Sequence, residues 1–96
     1  MYTVEFTKNA LKAMKKLDKH ISLLIIAWIR KNLEGCSNPY QHGKSLQANR
    51  SGQWRYRIGE YRLITEIMED KVVILMLNVG TPQKYLQVIQ RLTKTN

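Results

Sequence analysis

The sequence predicts a single α+β domain over residues 1–96: an N-terminal strand, a two-helix hairpin, an antiparallel three-stranded meander and a short C-terminal helix. Three observations predict it. Apolar residues recur at helical spacing between residues 10 and 33. β-prone segments alternate or run apolar between residues 53 and 79, with short turn signals between them. A chain of 96 residues is also too short for two conventional cores.

Taken in order, Tyr2-Thr3-Val4-Glu5-Phe6 alternates and reads as the first strand. Thr7 is a ready N-cap for a helix carrying Ala10, Leu11, Met14 and Leu17, with lysines on its other faces. Asp18-Lys19-His20 breaks the pattern, with Asp18 or Ser22 available as the next cap. The second helix then carries Ile21, Leu24, Ile25, Trp28, Ile29 and Leu33, and Gly35 stops it. Residues 36–51 are polar, with Pro39, Gly43 and Asn49, and are expected to form a loop. Three strands follow at 53–58, 61–68 and 71–79. Gly59-Glu60 joins the first two as a type II′ turn, and Glu69-Asp70 joins the second pair. Residues 72–77 are apolar at every position, as expected of an interior strand. Thr81-Pro82 opens the last helix, whose apolar side holds Tyr85, Ile89 and Leu92.

Sixteen Lys and Arg against seven Asp and Glu give a formal net charge of +9, so a polyanion is the expected partner, nucleic acid or an acidic protein. The single cysteine, Cys36, excludes an internal disulfide framework and a multi-cysteine zinc site, and suits a reducing cytoplasm. Two histidines do not make a His-rich metal site, and no cofactor is expected. The longest apolar run, residues 21–29, is far below the roughly 20 residues of a spanning helix. Leu33-Glu34-Gly35-Cys36 after a basic stretch superficially resembles an export signal. The long charged lead has its own helical period, however, and Glu34 does not suit the cleavage site.

The register set by a two-residue turn carries the functional argument. Ile58 is expected opposite Tyr61, Arg57 opposite Arg62 and Tyr56 opposite Leu63, so Arg55, Arg57 and Arg62 share one face. Trp54, Tyr56, Ile58, Tyr61, Leu63 and Thr65 share the other, which is the seat for the helices. Like charges directly opposite on a sheet are destabilising, so the arginines need an anion, an acid or strong hydration. Residues 36–59 contain no acid, and Lys44 and Arg50 can approach from the preceding loop. A single sheet arginine is ordinarily solvated, with its stem packed on neighbours. Three on one face in an acid-free stretch form the pattern of a phosphate contact, which the planar guanidinium fork binds in bidentate fashion. His42, beside Gly43 in the loop, reads as a loop hydrogen-bonder, an RNA contact or a general base; Trp28 and Trp54 read as core in preference to base-stacking platforms.

Gln53-Trp54-Arg55-Tyr56-Arg57-Ile58-Gly59-Glu60-Tyr61-Arg62-Leu63-Ile64 resembles the RelE/ParE superfamily of bacterial toxins, whose pattern is a basic strand, a Gly-acid turn and a Tyr-Arg strand. His42-Gly43-Lys44-Ser45-Leu46 and the strand ending in Val79-Gly80 fit the same pattern. The resemblance implies the toxin of a type II toxin–antitoxin system, held inactive by a cognate acidic antitoxin. Its RelE-like form would be a metal-independent endoribonuclease that cuts mRNA in the ribosomal A site, using the RNA's own 2′-hydroxyl. Its implied partners are mRNA, rRNA and the antitoxin, and no membrane. Arg62 matches the family's sheet arginine on the scissile phosphate. Arg55 and Arg57 fall where such toxins place catalytic basic residues, and Lys44, Arg50, His42 and Lys84 are the implied RNA contacts. The family commonly follows its Val-Gly with Gly-His-Arg, and then a functional Tyr or His. Here Gly80-Thr81-Pro82-Gln83-Lys84-Tyr85 stands instead. Tyr85 is one residue early for the catalytic tyrosine and equally fits the core of the last helix. Two alternatives stay open: a ParE-like inhibitor of DNA gyrase, and a family member that has lost toxicity.

Overall fold

A computed structural model describes residues 1–45 and 52–80. The order is β1 (Thr3–Phe6), α1 (Lys8–Lys16), α2 (Lys19–Asn32), a 3-10 turn (Pro39–Gln41), β2 (Lys44–Ser45), β3 (Gln53–Ile58), β4 (Tyr61–Met68) and β5 (Val73–Gly80). The described strands form one mixed sheet in the order β1-β5-β4-β3-β2. The expected C-terminal helix lies outside the described residues. The expected loop over 36–51 is corrected in part. It holds the 3-10 turn, opened by the Asn38 side chain on the Tyr40 N–H, and a two-residue strand paired to β3.

Local chemistry accounts for the helix ends. Thr7 caps α1, its hydroxyl accepting from the Ala10 N–H at 3.1 Å. Asp18 rather than Ser22 caps α2, accepting from the His20 N–H at 2.8 Å. Gly35, at φ +79°, lets the chain turn back, and residues 34–36 then cover the outer edge of β1. Tyr2 N–H donates to the Cys36 carbonyl, Gly35 N–H to the Tyr2 carbonyl and Val4 N–H to the Glu34 carboxylate. A bare edge strand is thereby sealed.

The β3–β4 register is the expected one, with Arg57 across from Arg62 and Ile58 across from Tyr61. Gly59 takes φ +60° while Glu60 stays at negative φ, the pattern of a type II′ turn. Two features of β5 go beyond the sequence analysis. It pairs in parallel with β1, Thr3 against Val73 and Phe6 against Met76, so it is an interior strand. It also carries a bulge: Ile64 pairs with Asn78 but Thr65 with Met76, leaving Leu77 without a partner on β4. The freed Leu77 carbonyl accepts from the Thr7 hydroxyl at 3.1 Å, so one side chain both caps α1 and satisfies the bulge.

The core lies between the helices and one face of the sheet. Ala10 and Met14 of α1, with Ile25, Ile29 and Leu33, meet Tyr56, Leu63, Ile74, Met76 and Val79. Each fully buried large side chain contributes about 1.5–3 kcal/mol. The expected helix faces were too wide: Leu11 and Leu24 are about half exposed. Val72 is the only non-glycine at positive φ among the described residues, at +57°, and it is β-branched and exposed. Its carbonyl accepts from the Thr3 N–H and starts the β1–β5 pairing, so the chain holds it there despite the strain. Val72→Gly should raise unfolding stability by about 1 kcal/mol, read as a higher urea midpoint at unchanged slope.

Candidate phosphate-binding cleft

The functional residues are placed by the edge of the sheet. The pairing of β2 begins with Lys44 across from Arg55 and goes on to Ser45 across from Trp54, so β3 beyond Arg55 has no paired outer neighbour among the described residues. A cleft of roughly 390 Å³ opens there, lined by Trp28, His42, Gly43, Lys44, Arg55, Arg57 and Arg62. The structure thus brings together five of the residues singled out from sequence: His42, Lys44, Arg55, Arg57 and Arg62. Arg50, Lys84 and Tyr85 lie outside the described residues.

The 42–44 segment is held by aromatic anchors. Tyr56, fully buried in the sheet, donates its phenol to the Pro39 carbonyl at 2.6 Å. The Trp54 indole N–H donates to the His42 carbonyl. Tyr40 packs edge-on to Trp54 at 5.0 Å and donates to the Glu69 carboxylate, tying the 3-10 turn to the β4–β5 turn. Gly43, at φ +81°, closes the approach. A Cβ there would fall 2.2 Å from the Arg55 carbonyl oxygen, so this position requires glycine if Lys44 is to pair with β3. Trp54 is therefore a strut as much as a core residue.

The cleft is electrostatically unbalanced. Lys44 is the direct cross-strand partner of Arg55, and Arg57 of Arg62, giving two like-charged pairs side by side. Among the described residues no carboxylate lines the cleft. Arg57 directs its Nε–H to the Gly59 carbonyl at 3.0 Å. The Arg62 Nε is buried and has no hydrogen-bond partner, an arrangement that leaves a donor for an anion. Burial, then the hydrogen bond and charge of Glu69, pushes the Tyr40 phenol up to about 12, and burial pushes the Tyr56 phenol up as well. No group of three His, Cys, Asp or Glu among the described residues could hold a metal ion, and no described helix is long and apolar enough to cross a membrane.

The family model for the ParE toxin of type II toxin–antitoxin systems matches residues 4–83. The chain belongs to this toxin family. The toxin's fold is that of the RelE proteins. It is similar to the RelBE2 toxin–antitoxin complex of Mycobacterium tuberculosis, at 29% identity over 83% of this chain and 90% of that one, with a TM-score of 0.73. The archaeal RelE–RelB complex of Pyrococcus horikoshii is 25% identical over 83% of this chain and 93% of that one, with a TM-score of 0.65. The isolated E. coli RelE toxin is 21% identical over 96% of this chain and 99% of that one, with a TM-score of 0.67, and shows likeness of fold alone. No curated protein matches the toxin by sequence.

Trp28 is the cleft residue that the sequence placed in the core in preference to a base-stacking role. The available signal was width: an apolar stripe holding Leu24 and Trp28 beside Ile25 and Ile29 is broader than one buried face needs. Two outcomes are expected of the toxin. Lys44→Gln should gain roughly 0.2–1 kcal/mol in low-salt buffer by relieving the pair with Arg55, and the gain should shrink in molar salt when unfolding is followed in urea. Tyr40 is bound more tightly to its proton when folded, so its contribution is full below its ordinary value and is lost as pH rises towards about 12. Wild type should therefore lose more stability than Tyr40→Phe across that alkaline window.

Proposed function

We propose that this toxin is a ribosome-dependent mRNA endoribonuclease and that the cleft at the edge of β3 binds the scissile phosphodiester. One observation carries the reading: Lys44, Arg55, Arg57 and Arg62 converge with no acid among the described lining residues, and the buried Arg62 Nε lacks a partner. Phosphate oxygens accept from the planar fork of a guanidinium in bidentate fashion, and their charge relieves both like-charged pairs at once.

The chemistry follows from that charge. The substrate's 2′-hydroxyl loses its proton and its oxygen bonds to phosphorus. The bond from phosphorus to the 5′-oxygen breaks, and that oxygen takes a proton. The products are a 2′,3′-cyclic phosphate and a 5′-hydroxyl. Extra negative charge gathers on the phosphoryl oxygens in between, where Arg62 and Arg57 stabilise it, while Arg55 and Lys44 hold the flanking backbone. His42 lines the same cleft and is our candidate for moving a proton, since imidazole both accepts and donates. Arg50 and Lys84 are proposed as further RNA contacts and Tyr85 as a second proton carrier. An acidic antitoxin segment that folds over the basic surface is the proposed inhibitor. The M. tuberculosis and P. horikoshii relatives were each crystallised with an antitoxin, which supports that partner.

A second reading, inhibition of DNA gyrase without catalysis, is favoured by the Gly80-Thr81-Pro82 sequence in place of Gly-His-Arg. Fold alone does not separate the two. In reconstituted translation with programmed ribosomes, Arg62→Ala should cleave labelled mRNA about 10²–10³-fold more slowly than wild type. Cleavage by that variant at the wild-type rate would remove Arg62 from the chemistry. Intact mRNA with wild type, together with trapped gyrase–DNA complexes, would establish the second reading.

A further inference from the structure

We propose that the cleft seats one nucleotide, with the indole of Trp28 stacking the nucleobase next to the phosphate held by the arginines. The assignment rests on the RNA-cleaving function above and adds a base-recognition element to it.

Trp28 reaches the cleft because of its position on α2. Ile25 and Ile29 form the buried seam of that helix, at 1% and 4% exposure, and Trp28 sits beside that seam, half-buried and facing the arginines. Its ring is held without being covered by a parallel stack. Tyr56 backs it at 5.7 Å and 54°, and His42 meets it at 5.8 Å and 69°. Tyr56 is itself fixed by its bond to Pro39, and the main chain of His42 by the Trp54 indole. Among the described residues the Trp28 indole N–H makes no hydrogen bond and is not buried, so it is open to a ligand. A rigid indole beside a row of guanidiniums supplies the two features that bind single-stranded nucleic acid: a stacking platform and a cationic track for the backbone. The cleft volume, roughly 390 Å³, is at the small end of ligand sites and suits one nucleotide unit rather than a duplex. An acidic peptide would answer the charges but would leave the π face and the indole N–H without a role.

The test uses the purified full chain and a three-nucleotide RNA with 2′-O-methyl sugars, which cannot be cleaved. It is compared with versions carrying an abasic sugar at each position in turn. Wild type should bind the parent about tenfold more tightly than one of the abasic versions. Trp28→Leu should bring that ratio close to one while its affinity for the abasic RNA stays unchanged, and Trp28→Phe should keep most of the ratio. An unchanged ratio in Trp28→Leu overturns the proposal. Should Trp28→Leu not fold, the indole N–H resonance of Trp28 in the wild-type chain decides. It should shift with the parent RNA and stay in place with that abasic version, and a resonance that treats the two alike overturns the proposal. Salt-dependent binding of every RNA with equal affinity would overturn the base site and leave the phosphate site standing. Absence of any RNA binding would overturn the base site, and cleavage on programmed ribosomes by wild type but not Arg62→Ala would leave the phosphate site standing. A hexaglutamate peptide that moves the Trp28 resonance where RNA does not would assign the cleft to an acidic protein instead.

Discussion

The turn at Gly59 and Glu60 sets the register of β3 on β4, and almost everything of functional interest depends on that register. It directs Tyr56, Leu63 and Thr65 into the core and stacks Arg57 against Arg62 on the opposite face. A slip of one residue would exchange the faces, burying guanidiniums under the helices and exposing the core tyrosine. The hydrophobic face therefore enforces the charged one. Burial of several apolar side chains holds together two like-charged pairs that would separate if left to themselves. The cleft is a by-product of the core's demand for one particular alignment.

Local signals made much of this legible. The caps at Thr7 and Asp18, the Gly59 turn and the alternation of β3 and β4 depend on residues close in sequence, and the hairpin emerged residue for residue. The partner of β1 was not legible, since an alternating segment states which face it buries and not which strand it joins. The bulge at Leu77 was hidden for a related reason: nothing in an unbroken apolar run marks which residue will lose its partner. In the site, the arginines and Lys44 announced themselves by charge, and His42 by its place beside Gly43 in a polar loop. Trp28, and the Tyr40–Glu69 strut, did not, because each acts across a distance in sequence that periodicity does not span.

Family membership fixes the architecture and leaves the target to the edge of the sheet. The short β2 matters here. Had the pairing extended back from Lys44 through His42, a neighbouring strand would have filled the place where Trp28, His42 and the arginines now meet. Gly43 performs the opposite service, letting the chain press against the β3 backbone as the pairing with β2 begins. An opening of this kind accommodates an extended polyanion more readily than a globular surface, because its charge is lined up along a strand.

The parallel pairing of β1 with β5 also governs when this protein becomes itself. The first strand of the chain waits for a partner more than sixty residues further on: Thr3 for Val73, Phe6 for Met76. Contacts so distant in sequence form late, after the loop-closure entropy between them has been overcome. During synthesis, β1 stays unpaired and the helices lack the Ile74 and Met76 side of their seat until nearly the whole described chain has left the ribosome. A protein of this architecture closes its sheet only when β5 arrives to lie between β1 and β4, so its first strand is among the last to be seated.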